Sequence, residues 1–269
     1  MTWTVVRAVA ARDVRSALTN RGVMVPLILV PVVLLVGIPL LFGIVGVDVA
    51  AGARGFEPLV ETAPPGVQAV LAGYPADHRW LVFGLVYLTA PLYLFVPVMV
   101  ASVIAADSFA GEKERGTIEA LLHTPTTDAE LFTGKALGAV VPAVAVSVIG
   151  ALMYGVVADR VAAATIGVSL FPNVLWTVLA LWVAPAVAIL GLATMVVVSS
   201  RVSTFQAAAQ TGGLIALPLV ALVIGQFGGA ILLDTRDLVL IGAALFAVDG
   251  VIVAAGARTF NRDRVLSRL

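Results

Sequence analysis

The chain contains no cysteine and only two histidines. The first absence removes disulfides, thiolate metal sites and a cysteine nucleophile together. The second leaves little for metal or acid–base chemistry. His78 and His123 both fall in polar segments between apolar runs, so no histidine pair or Ser–His couple stands at membrane depth. Ser147, Thr177 and Thr194 are single hydroxyls with no base near them in sequence, suited to bonding their own helix backbone. Charge is scarce as well. Charged residues make up 12% of the chain, where about 25% is usual for a soluble domain. The net charge is zero, so no global field favours nucleic acid.

What is present is hydrocarbon: 61% of residues are hydrophobic, and the mean hydropathy is +1.08. These residues come in long blocks rather than mixed at the period of a surface helix, which marks an integral membrane protein. About 20 apolar residues cross ~30 Å of lipid as a helix. The sequence predicts an all-α, single-domain fold over 1–269, with six spans at about 23–47, 81–105, 136–157, 173–199, 204–232 and 238–257. The first run follows a polar segment and lacks a clean cleavage site, so it is expected to remain as a span. Pro31, Pro39, Pro91, Pro97, Pro142, Pro185 and Pro218 lie inside these runs and predict kinks, including one broken helix.

Lys and Arg set the expected orientation. With both termini cytoplasmic, twelve of the sixteen cations lie inside, and only Arg54, Arg79, Arg160 and Arg236 lie outside, in the sense of the positive-inside rule. That orientation puts the stretch DSFAGEKERGTIEALLHTP, residues 107–125, in the cytoplasm between spans two and three. The stretch gathers charge in a chain that has little. From Arg115-Gly116-Thr117 a short helix is expected, with Ile118, Leu121 and Leu122 on one face and Pro125 as its stop. Thr127-Asp128-Ala129-Glu130 has the form of a capping box that opens the next helix. A helix resting on lipid is the plain alternative, although such helices are rich in Lys and Arg rather than acids.

The run Glu112-Lys113-Glu114-Arg115-Gly116-Thr117-Ile118-Glu119-Ala120-Leu121-Leu122, then Pro125 and Gly134-Lys135, resembles the signature of ABC-2 type permeases, the membrane subunits of one class of ATP-binding cassette transporters. Arg12-Asp13-Val14-Arg15 with Asn20-Arg21 and Pro26 resembles that family's amphipathic entry helix. Ser199-Ser200-Arg201 with Gln206 resembles its turn between spans four and five, and Phe260-Asn261-Arg262-Asp263 its tail. The resemblance implies a coupling helix that fits a cleft on a separate ATPase subunit. Ile118, Leu121 and Leu122 would fill the cleft, and Glu112, Glu114, Arg115, Gly116, Thr117 and Glu119 would complete the contact. It also implies a second permease copy or a related permease, export as the direction, and the plasma membrane, with its lipid, as the location.

ATP and magnesium would belong to the partner. The only Gly-Lys pair here, Gly134-Lys135, has Ala129 where a Walker A loop needs its first glycine and Ala136 where it needs a hydroxyl, so no cofactor is expected in this chain. A membrane enzyme and an ATP-independent channel or scaffold are the competing classes. The first lacks a catalytic set, and the second gives no reason for the charged motif. Within the spans, Asp249 on the sixth and Gln206, Gln210 and Gln226 on the fifth are candidates for the pathway or an interface, with interhelical hydrogen bonding as the plainer role. Gly212-Gly213 and Gly228-Gly229 would let helices approach closely at a seam or hinge.

Overall fold

The computed structural model describes residues 2–45, 56–116 and 126–259, and among these every regular element is helical. An amphipathic helix, α1 (Trp3–Thr19), buries Val6, Val9, Asp13 and Ala17 at three- and four-residue spacing. It leads through Asn20, whose side chain accepts from the Gly22 N–H, into α2 (Gly22–Ile44). A short helix, α3 (Pro65–Leu71), precedes α4 (Arg79–Glu114). Then come α5 (Asp128–Ile166), α6 (Val174–Ser199), α7 (Phe205–Phe227) and α8 (Thr235–Thr259). Five of these, α2, α4, α5, α6 and α7, are long and apolar enough to cross a membrane.

The spans divide into a centre and a margin. In the most apolar stretch of α4, 78% of residues are buried, against 17% for α2 and 11% for α7. α4 is the axis of the bundle, flanked by α5 and α6, while α6 also packs on α8. Outward faces of α2 carry Val25, Ile28, Leu29, Leu40 and Ile44, and α7 exposes Leu214, Leu217 and Ile224. Apolar faces of this kind suit lipid, or another apolar protein surface, as solvent.

α1 lies against α5 because two glycines make room for it. A Cβ at Gly134 would stand 2.7 Å from the Val9 Cβ and 3.1 Å from the Val6 carbonyl oxygen, and Gly138 faces Ala10 and Asp13 one turn further on. The α5 N-terminus is fixed by the capping box the sequence predicts: Thr127 Oγ1 accepts from the Glu130 N–H, and Glu130 accepts from the Thr127 N–H. Glu130 also accepts from the backbone N–H and hydroxyl of Thr2, which binds the start of α1 to the start of α5.

The expected broken helix is α4. A wide, π-helical turn over Gly84–Leu88 is followed by Pro91, which offers no N–H to the carbonyls behind it. Three consecutive carbonyls there accept side-chain donors from three other helices. Leu85 O accepts from the Tyr154 hydroxyl of α5 at 2.6 Å, Val86 O from Trp176 Nε1 of α6 at 2.9 Å, and Tyr87 O from Gln226 Nε2 of α7 at 2.6 Å. Neighbouring helices thus cover the carbonyls of the broken turn, including Tyr87 O, to which Pro91 four residues on has no N–H to offer.

The second span runs further than its apolar stretch suggests. Instead of stopping near residue 105, α4 continues through a second π-helical turn, Asp107–Gly111, to Glu114. Gly116, at φ +67°, then ends it in a left-handed conformation open to glycine. Arg115-Gly116 therefore closes the span helix, and the short helix expected after it lies outside the described residues. Thr117, Ile118, Glu119, Leu121 and Leu122 lie outside the described residues, as does the tail from Phe260.

Candidate functional site

Charged residues from three helices meet at one end of the bundle, where α4 ends and α5 begins. Lys135 of α5 is the centre of this node, with a side chain only 1% exposed. Its ammonium donates to Glu112 Oε2 at 2.6 Å, to the Ser108 carbonyl at 2.6 Å and to Ser108 Oγ at 3.1 Å, and lies 3.5 Å from Asp13 Oδ2. Ser108 Oγ also donates to Asp13, and the Lys135 ammonium sits 5.2 Å from the centre of the Phe109 ring. Arg12, half-exposed, pairs with Glu112 and with Asp13 Oδ1 at 3.1 Å. Two cations, Arg12 and Lys135, thus face two buried carboxylates, Asp13 and Glu112, and the charges cancel. Such compensation is the condition under which ions stay buried.

A second pair lies beside the first. Asp107, 2% exposed, accepts from Arg115 Nη1 at 2.9 Å and from Asn20 Nδ2 at 3.2 Å, and Ser16 Oγ reaches its other oxygen at 3.4 Å. Arg115 also donates to the Asp107 carbonyl at 3.3 Å. This ties the end of α4 back to the hinge between α1 and α2. Glu114 turns to a different helix, accepting from the Phe205 N–H at 2.8 Å at the start of α7. A carboxylate at a helix N-terminus satisfies an orphan donor and complements the dipole.

Within the charged motif, Glu112, Glu114 and Arg115 are therefore engaged within the chain. Arg12, Asp13, Ser108 and Lys135 were legible in sequence only as pieces of separate short motifs. A lysine immediately before an apolar run, with carboxylates in the polar segments flanking two others, was the available signal. Which carboxylate it meets depends on the packing of α1 onto Gly134 and Gly138.

The fifth- and sixth-span candidates separate. Gln206 and Gln210 are exposed on α7, whereas Gln226 is 1% exposed and spends its amide N–H on the broken turn of α4. Among the described residues its Oε1 has no partner. Asp249 is 2% exposed on α8, and neither of its oxygens has a described hydrogen-bond partner. Gly212 packs against Met195 of α6, with no room for a Cβ, and Gly213 faces open space.

A helical membrane bundle with a charge-compensated node at the junction of its second and third spans accords with the resemblance in the charged motif, and a family model decides the matter. The model for the ABC-2 family transporter protein matches residues 7–238. The chain belongs to that family. The match takes in α1 from residue 7 on, the node, both sides of the charged motif and the helices through α7. No curated protein matches the chain. Membership makes this ABC-2 protein a multi-pass membrane component of a transporter, and it is the node, rather than a reaction centre, that calls for a mechanical account. No group of three or more His, Asp or Glu side chains suited to a metal ion occurs among the described residues.

Proposed function

We propose that this ABC-2 protein is the permease half of an ATP-driven exporter, with residues 117–125 as the coupling segment on which a separate ATPase subunit acts. One observation carries this reading: the segment is gripped at both ends. Before it, Glu112 is locked into the node with α1 and α5, and Arg115 is paired with Asp107 of its own helix, which Asn20 also holds. After it, Thr127 and Glu130 cap α5, and Glu130 also accepts from Thr2 at the start of α1. A push on the segment then acts at once on α4, the buried axis of the bundle, and on α5, with α1 clamped across both. An interface of packed charges with two arrangements is the kind of element that converts a small displacement into a switch.

In this account ATP and magnesium are bound by the partner. Leu121 and Leu122, with Ile118, supply the apolar contact, and Glu119 and Thr117 its polar edge. α8, 25 residues and ~37 Å long, serves as a sixth span, which leaves both termini in the cytoplasm of a plasma-membrane protein, as the distribution of Lys and Arg favours. A second permease copy packs on the exposed face of α7 that carries Gln206 and Gln210.

Copurification tests the partnership. The tagged chain is expected to bring down an ATPase subunit in detergent, and the Leu121→Glu/Leu122→Glu variant is expected to lose it while still being inserted in the membrane. Retention of the ATPase by that variant would remove the assigned contact.

A further inference from the structure

At the end of α5 remote from Lys135, a cavity of about 480 Å³ lies between α5 and α6. This is within the size range of small-molecule sites, ~300–1,000 Å³. Its walls are Leu152 and Val156 of α5 and Trp176 and Leu181 of α6, and it ends on Asp159 and Asn173. Leu152, Val156 and Leu181 are each more than 60% exposed, so the groove opens sideways toward lipid. Its floor is rigid: Trp176 stacks on Tyr154 at 4.0 Å between ring centres, and its Nε1 is spent on Val86.

Position and charge identify the occupant. No charged residue occurs between Lys135 and Asp159, a rise of ~36 Å that matches the hydrocarbon layer and puts the two at opposite interfaces. From Val148 to Asp159 the groove follows α5 for ~17 Å, about the depth of one leaflet. A charge of one sign lines the polar end, and one of the other sign stands next to it in the chain. Asp159 Oδ1 accepts from Ser169 Oγ and from the N–H groups of Leu170 and Phe171, so Oδ2 makes none of these bonds. Arg160, the next residue, is exposed.

We infer that the groove between α5 and α6 is a site for one phospholipid of the leaflet remote from the charged node, with an acyl chain along Trp176 and a zwitterionic, primary-ammonium headgroup at Asp159 and Arg160. The ammonium meets Asp159 and the phosphate meets Arg160. Phosphatidylethanolamine has that pattern; phosphatidylglycerol lacks the ammonium, and the methylated ammonium of phosphatidylcholine has no N–H to donate.

The site is independent of any ATPase, and so is its test. The full-length chain, equilibrated in mixed micelles holding equal amounts of phosphatidylethanolamine, phosphatidylcholine and phosphatidylglycerol, is examined by native mass spectrometry. One phospholipid per chain is expected to persist, enriched at least threefold in phosphatidylethanolamine. Ala151→Phe, which fills the groove, should lower that occupancy at least fivefold. Asp159→Asn keeps the Oδ1 acceptor of the turn and removes only the charge; it should retain a lipid but lose the preference for phosphatidylethanolamine. Equal retention by wild type and Ala151→Phe would show annular lipid only, and an unchanged preference in Asp159→Asn would show that the headgroup lies elsewhere. Either result overturns the assignment.

Discussion

Replacing Lys135 by methionine is the sharpest perturbation of the node. The side chain is almost fully enclosed, and methionine fills much the same volume, so the change is mainly electrostatic. It removes the hydrogen bond to Glu112 at 2.6 Å, the bond to the Ser108 carbonyl at 2.6 Å and the attraction to Asp13 at 3.5 Å. Two buried carboxylates then share one cation, Arg12, whose side chain is 44% exposed and screened by solvent. Breaking a buried pair by removing one partner costs about 3–5 kcal/mol, and because Arg12 remains, the lower end applies. For a chain of this size that is a fall of roughly 5–10 °C in the melting temperature, measured by thermal unfolding of the detergent-solubilised protein. Adding Glu112→Gln removes one of the two stranded charges, and the double variant is expected to recover more than half of the loss. A single variant within about 2 °C of wild type, or a double variant less stable than the single, would refute the charge account of the node.

Other consequences are equally direct. Gln226→Leu takes the donor from the Tyr87 carbonyl; interhelical hydrogen bonds in membranes average about 0.6 kcal/mol and reach about 1.7, and the upper value is expected here because Pro91, four residues on, has no N–H to offer that carbonyl, with a matching drop in unfolding free energy in mixed micelles. Gly134→Val forces a Cβ against Val9, and overpacking of this kind costs about 1–3 kcal/mol, read as faster protease cleavage of a loosened α1. Thr127→Ala removes the acceptor for the Glu130 N–H at the start of α5 and should cost about 1 kcal/mol, checked by hydrogen exchange confined to the first turn of that helix.

The helices were legible because hydrocarbon thickness imposes a length on apolar runs, and α2, α6 and α7 follow theirs to within a few residues at most ends. The lower half of α4 was not. Asp107 and Glu112 read as part of a cytoplasmic charged patch, because a carboxylate signals water or an outside partner unless one within the chain is known, and the partners named here sit 23 to 100 positions away: Lys135 from α5, Asn20 and Arg12 from the N-terminal segment. The break in α4 was foreseeable from proline alone, but not its place. Seven prolines stood as candidates, and the one with redirected carbonyls is the one that Tyr154, Trp176 and Gln226 happen to reach. The capping box at Thr127 was fully legible because all of its atoms lie within four residues.

Because the chain has no cysteine, a single one introduced at His123 becomes a unique reporter on the segment proposed to receive the force. A membrane-impermeant maleimide should label His123→Cys in inverted membrane vesicles and not in intact cells, and added ATPase subunit should shield it. Labelling of intact cells from outside, or labelling in inverted vesicles that the ATPase leaves unchanged, would contradict the assignment of residues 117–125 as the point of coupling.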